Sequence, residues 1–111
     1  MIVGVAGPYS APTEKQRNKN LEAMNIAAAK VYEKGHIPFI GVNMALPIIE
    51  RAEIEDDYEA IMEISLAVID KCDAILIIGE SNGVTREKDI IVAKGLPVYY
   101  SIDEIPEVRH D

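Results

Sequence analysis

Short apolar runs alternate along this chain with longer segments in which apolar residues recur every three or four positions. Residues 1–6 are an apolar run closed by Gly7-Pro8 and read as a first strand. Thr13 and Gln16 then have the spacing of a helix capping box. Leu21, Met24, Ala28 and Val31 follow at helical intervals, and Gly35 is placed to end that helix. Residues 37–42 read as a second strand. Residues 43–55 are less regular, with Pro47 inside, and read as a loop with a short helical turn. Asp56 or Asp57 caps a second long helix, whose apolar face runs through Tyr58, Ile61, Ser65 or Leu66, and Ile69. Residues 74–78 form a third strand, 85–94 a third helix closed by Gly95, and 97–100 a fourth strand. In the tail, 101–111, only Ile102, Ile105 and Val108 are available as anchors.

Strands alternating with helices predict a parallel sheet with right-handed crossovers. Near-continuous apolar strands agree, because such a sheet is buried on both faces. The expected fold is therefore α/β: one domain over residues 1–111, a small doubly wound parallel sheet of Rossmann or flavodoxin-like type. Its four strands run in the order 2-1-3-4, with helices on both faces. The topological switch point then falls between strands one and three, where ligands bind in open α/β sheets. Residues 7–10 and 79–83, two polar loops with glycines, face each other across that crevice.

Composition narrows the function. A formal charge of -8 on 111 residues argues against a nucleic-acid binder, which should carry a basic face. A small anion is still admissible, because a nest of backbone N–H groups binds phosphate inside an acidic protein. The lone Cys72 leaves no internal disulfide and fits a reducing compartment. No apolar stretch approaches the ~20 residues of a membrane span, and no signal peptide is read. A cytoplasmic protein is expected, without membrane contact, metal or cofactor.

The candidate chemistry centres on Ser81-Asn82-Gly83-Val84-Thr85-Arg86-Glu87. This polar turn leaves a buried strand and enters a helix, with a carboxylate in what reads as the first helical turn, where the helix N-terminus is expected to hold it ionised at neutral pH. The P-loop and dinucleotide fingerprints are absent. Each residue also has a bland reading. Glu87 stabilises a helix start, Ser81 and Asn82 are good caps, Tyr9 is an ordinary loop aromatic, and Asp73 satisfies nearby backbone. Cys72 is a small buried residue, His36 is structural, and Glu14, Lys15, Arg17 and Lys19 form a solvated helix face.

Several of these segments, taken in order, resemble the nucleoside 2-deoxyribosyltransferase-like superfamily. They are Ala6-Gly7-Pro8-Tyr9-Ser10, the helix with Asn20 and Ala23, Gly35-His36-Ile37-Pro38-Phe39, Cys72-Asp73-Ala74-Ile75 and the turn from Ser81 to Glu87. The resemblance spans almost the whole chain. It implies that Glu87 is a nucleophile that attacks the anomeric carbon of a 2-deoxyribosyl group and expels the base. The sugar then passes to another base or to water. It also implies that Gly7, Tyr9, Ser10, Ser65, Ser81, Asn82 and Gly83 hold a nucleotide or nucleoside, and that the chain is a homo-oligomer, with a dimer first. Relatives that act on free nucleosides carry an acid six residues before the nucleophile, and those that hydrolyse deoxynucleoside 5′-monophosphates carry serine. Ser81 therefore implies a phosphate, with Ser10 and Lys15 or Arg17 completing its site. Two positions depart from the pattern: Ser65 stands where the family has an aspartate that serves the base, and Gly4 where strand one commonly has a tyrosine. The rival expectation is a non-catalytic nucleotide-binding or sensing domain of the same fold, which Ser65 favours. A third is a small oligomeric protein that shares the fold alone.

Overall fold

The computed structural model describes residues 1–108. Four parallel strands lie in the order β2-β1-β3-β4: β1 (Ile2–Ala6), β2 (Ile37–Phe39), β3 (Ala74–Ile77) and β4 (Val98–Tyr99). The helices are α1 (Glu14–Glu33), α2 (Gly41–Ile49), α3 (Asp57–Ile69) and α4 (Asn82–Ala93), and a 3-10 turn spans Ile102–Glu104. The architecture is the doubly wound α/β sheet expected from the alternation of strands and helices.

Side-chain alternation along β1 and β3 divides the core in two. Val3, Val5, Ala74 and Leu76 point to one face, where Met24, Ala28 and Val31 of α1 cover them together with Ile105. Ala6, Ile75 and Ile77 point to the other, against Ile69 of α3 and Val84 and Ile91 of α4. Thr13 caps α1 by accepting from the Gln16 N–H at 3.1 Å, but the capping box is only half made. The Gln16 amide donates forward to Asn20 Oδ1 at 2.9 Å. Asp56, rather than Asp57, caps α3 by accepting from the Glu59 N–H. Helix α1 ends as expected, with Gly35 at a φ of 93°.

The largest departure lies between β2 and α3. The predicted strand 37–42 stops at Phe39, and the predicted loop is helix α2, with Pro47 inside it. Buried Val42 and Ala45 share a helical face three residues apart, a spacing hidden inside a run that also reads as a strand. Helix α2 lies along α3, so packing overrides the proline's disruption of the helix. The fourth helix starts at Asn82, three residues before the expected Thr85, because Ser81 is its N-cap.

The tail is tied down mostly through its backbone. The Lys34 ammonium donates to the carbonyls of Ile102 and Ile105 at 2.7 and 2.8 Å, and the Val108 N–H donates to Lys34 O. Ile105 is buried, whereas the Val108 side chain is exposed. His36 is structural, as read. It is 1% exposed, its Nδ1 accepts from the Met1 nitrogen at 3.0 Å and its Nε2 donates to Pro106 O at 2.6 Å. The last three residues of the predicted domain and tail lie outside the described ones.

Candidate active site

Loops at the carboxyl ends of β1 and β3 flank a cavity of about 310 Å³, at the lower end of the range for small-molecule sites. Gly7, Tyr9, Ser10, Ser65, Ser81, Asn82, Gly83 and Glu87, the eight residues singled out in the sequence, all line it. The switch point supplies two walls. The residues that sequence reading missed supply the third: Gly41 and Val42 of α2, Tyr58, Ile61 and Met62 of α3, and Met24 of α1. Most of these lie on the α2–α3 pair, and α2 itself was hidden in the apolar run after β2.

Each wall is fixed by local bonding. The loop after β1 is held by α1: Asn20 Nδ2 donates to Tyr9 O at 3.0 Å and Arg17 donates to Ala11 O at 2.9 Å. Arg17 is thereby committed to the loop backbone, and neither it nor Lys15 lines the cavity, contrary to the phosphate role expected of them. On the other side, Ser81 Oγ accepts from the Val84 N–H at 3.2 Å. The hydroxyl keeps its own proton to donate. The N–H groups of Asn82 and Gly83 belong to the first turn of α4, whose backbone donors have no partner within the helix. The Arg86 guanidinium donates to Glu59 Oε1 at 2.9 Å and stands 6.0 Å from the ring centroid of Tyr58, which lines the cavity.

Glu87 is the one acidic side chain in this lining. It is the sixth residue of α4 and so lies in the second turn, beyond the reach of the helix N-terminal charge. The expectation that the helix terminus keeps it ionised therefore fails. Burial among apolar neighbours pushes its pKa from the ordinary 4.5 up to about 7, and a hydrogen bond from Ser65 opposes the rise. Ser65 itself is 2% exposed. A Cβ on Gly41 would stand 2.8 Å from the Ser65 Cα, so the start of α2 presses against the Ser65 backbone.

The other candidates take structural places. Gly4 lies outside the cavity lining and beneath Ile69 and Cys72, so the missing tyrosine opens no gap in this wall. Asp73 Oδ2 accepts from the Ile2 N–H at 2.7 Å and ties β3 to β1. Cys72 is buried, and that burial, with the charges of Asp73 and Glu87, pushes its thiol up to about 11, the state of an unreactive core cysteine. Among the described residues no group of three His, Cys, Asp or Glu side chains is placed to hold a metal ion, and no helix is long and apolar enough to cross a membrane.

Such a cavity combines hydrogen-bond donors, apolar side chains from α3 and one carboxylate. No curated protein matches the chain. Residues 1–100 match DUF4406, a domain of unknown function, and the chain belongs to that family.

Proposed function

We propose that this protein cleaves the N-glycosidic bond of a deoxynucleoside 5′-monophosphate or nucleoside, or transfers its deoxyribosyl group to another base, with Glu87 as nucleophile. The observation that carries the reading is the position of Glu87. A half-buried carboxylate faces a cavity whose other lining offers the Ser81 hydroxyl, the first turn of α4 and the loop from Gly7 to Ser10. The resemblance to the nucleoside 2-deoxyribosyltransferase-like superfamily supports the same assignment.

In this reading the ionised Glu87 attacks the anomeric carbon and the C–N bond breaks, its electron pair leaving with the base. Water, or a second base, then attacks the same carbon, the bond to the Glu87 oxygen breaks to return a carboxylate, and the attacker's proton passes to solvent. Ser65 is a poor general acid, so the departing base takes its proton from solvent. Ser65 instead acts on Glu87 electrostatically, its hydroxyl favouring the ionised carboxylate against the burial that opposes it. The apolar side chains of Val42, Ile61 and Met62 suit a base, and Ser81, Asn82 and Gly83 suit a phosphate or sugar hydroxyl.

The rival reading, a nucleotide-binding or sensing domain without catalysis, is favoured by one observation: no second acid stands in the lining to protonate the base. Incubation with a panel of deoxynucleotides and deoxynucleosides separates the two. The enzyme reading expects free base from at least one substrate, at a rate that rises as the pH passes 7. It also expects Glu87→Ala to abolish release while the fold, followed by circular dichroism, is retained. Ligand binding without base release across the panel would leave the sensing reading. Wild-type turnover in Glu87→Ala would remove the nucleophile assignment.

A further inference from the structure

The face of the sheet that carries α3 and α4 is incompletely covered. Ile37 and Phe39 of β2 pair in register with Ile2 and Gly4 of β1, so their side chains point to this face. They remain 51% and 37% exposed. Beside them runs the outer side of α3. Its inner side buries Met62, Ser65 and Ile69, while Ile64, Ala67 and Val68 form a second apolar stripe turned away from the core. Phe39 and Met44 close this stripe into a groove separate from the cavity that holds Glu87. An apolar groove beside an uncovered edge strand is an unfinished surface.

The charges at its two ends indicate what finishes it. Glu63 and Lys71 both line the groove, eight residues apart with Ala67 midway between them. Glu63 lies within α3, and Lys71 stands two residues past the last helical residue, Ile69. Neither side chain has an ion-pair partner among the described residues. A second α3 laid antiparallel across the first, with a two-fold axis near Ala67, puts Glu63 of each copy opposite Lys71 of the other. The small Ala67 side chain allows close approach at the axis, and the apolar residues of each groove meet their counterparts. Self-complementarity of this kind is what an isologous interface requires.

We infer that the face formed by β2 and the outer side of α3 is the contact between two copies of this chain. The same helix carries Tyr58, Met62 and Ser65 on its inner side, so the contact also steadies one wall of the cavity.

Sedimentation of the full chain at physiological salt tests the inference. The wild type should run at twice the 12.2 kDa chain mass at micromolar concentration. Glu63→Lys or Lys71→Glu alone should weaken the dimer at least about tenfold, because each sets like charges against each other. Combining the two restores opposite charges and should recover dissociation to within about threefold of wild type. Ala67→Arg, at an exposed position, should give a folded monomer by circular dichroism. A wild type that stays monomeric overturns the inference, whatever else binds the groove. So does a dimer that ignores Glu63→Lys and Ala67→Arg, or single-variant losses that the double variant fails to recover.

Discussion

Glu87 occupies a position that helical periodicity assigns to the core. Val84 and Ile91, three residues before it and four after, are buried on the same face of α4. A carboxylate in that stripe costs stability once ionised, and pH shows the cost. In the unfolded chain Glu87 releases its proton near 4.5, and in the fold near 7. Between those values folding takes up a proton. The protonated form's advantage is fully present below pH 4.5 and is lost as the pH rises through 7. At 1.36 kcal/mol per pH unit the loss comes to ~3 kcal/mol. Glu87→Gln keeps the shape and removes the charge. It should be ~2–3 kcal/mol more stable than wild type at pH 8 and equal to it near pH 4.5. Urea unfolding at both values measures this, and a difference that does not change with pH would show that Glu87 carries no raised pKa. A sequence exposes the spacing of such a residue but not the solvent around it. That is why Glu87 was legible as a candidate while its expected ionisation at neutral pH was not.

At the scale of elements, legibility followed the clarity of the period. Helix α1 was readable because Met24, Ala28 and Val31 repeat without competition and Gly35 ends the repeat. Strands β1 and β3 were readable as apolar runs bounded by glycine or charge. Helix α2 was not, because Ile40, Gly41 and Val42 continue the apolar run of β2 and Pro47 reads as a breaker. Helix α2 is held by its packing along α3, and Gly41 approaches Ser65 closely there. A methyl group there meets the Ser65 Cα at 2.8 Å, a backbone atom with little room to move. Gly41→Ala should therefore destabilise the protein by ~1–3 kcal/mol, the range for overpacking a tight contact. It should also move Ser65 relative to Glu87. Thermal unfolding of Gly41→Ala checks the first point, and an unchanged melting temperature would mean that α2 rides loosely on α3. The cavity's missing wall has the same origin. Its α2 residues sit on the helix that sequence periodicity concealed, and its α3 residues were read only as a helix face packed on the core.

For the whole molecule the open question of recognition is one of charge. A net charge of -8 repels an anionic ligand at long range. The cavity opposes this locally: Ser81 has a free hydroxyl proton, and the N–H groups of Asn82 and Gly83 stand in the first turn of α4. Glu87, the one carboxylate of the lining, is itself half neutralised near pH 7 by its burial, which weakens the repulsion of a second anion beside it. Long-range repulsion is screened beyond about 8 Å at physiological ionic strength. Hydrogen bonds to a charged group contribute about 1.5–3 kcal/mol each. Two of them outweigh the screened repulsion and exceed the about 1.4 kcal/mol that a tenfold change in affinity requires. A deoxynucleoside 5′-monophosphate should therefore bind at least about tenfold more tightly than the matching nucleoside, and Ser81→Ala should reduce that preference. Raising the pH from 6 to 8 should narrow it as well, since Glu87 gains its charge over that interval. Calorimetric titration with dGMP and deoxyguanosine, and with the other base pairs in turn, measures all three effects. Equal affinities across the pairs, or tighter binding of the nucleosides, would place the polar end of the cavity on a sugar hydroxyl rather than a phosphate.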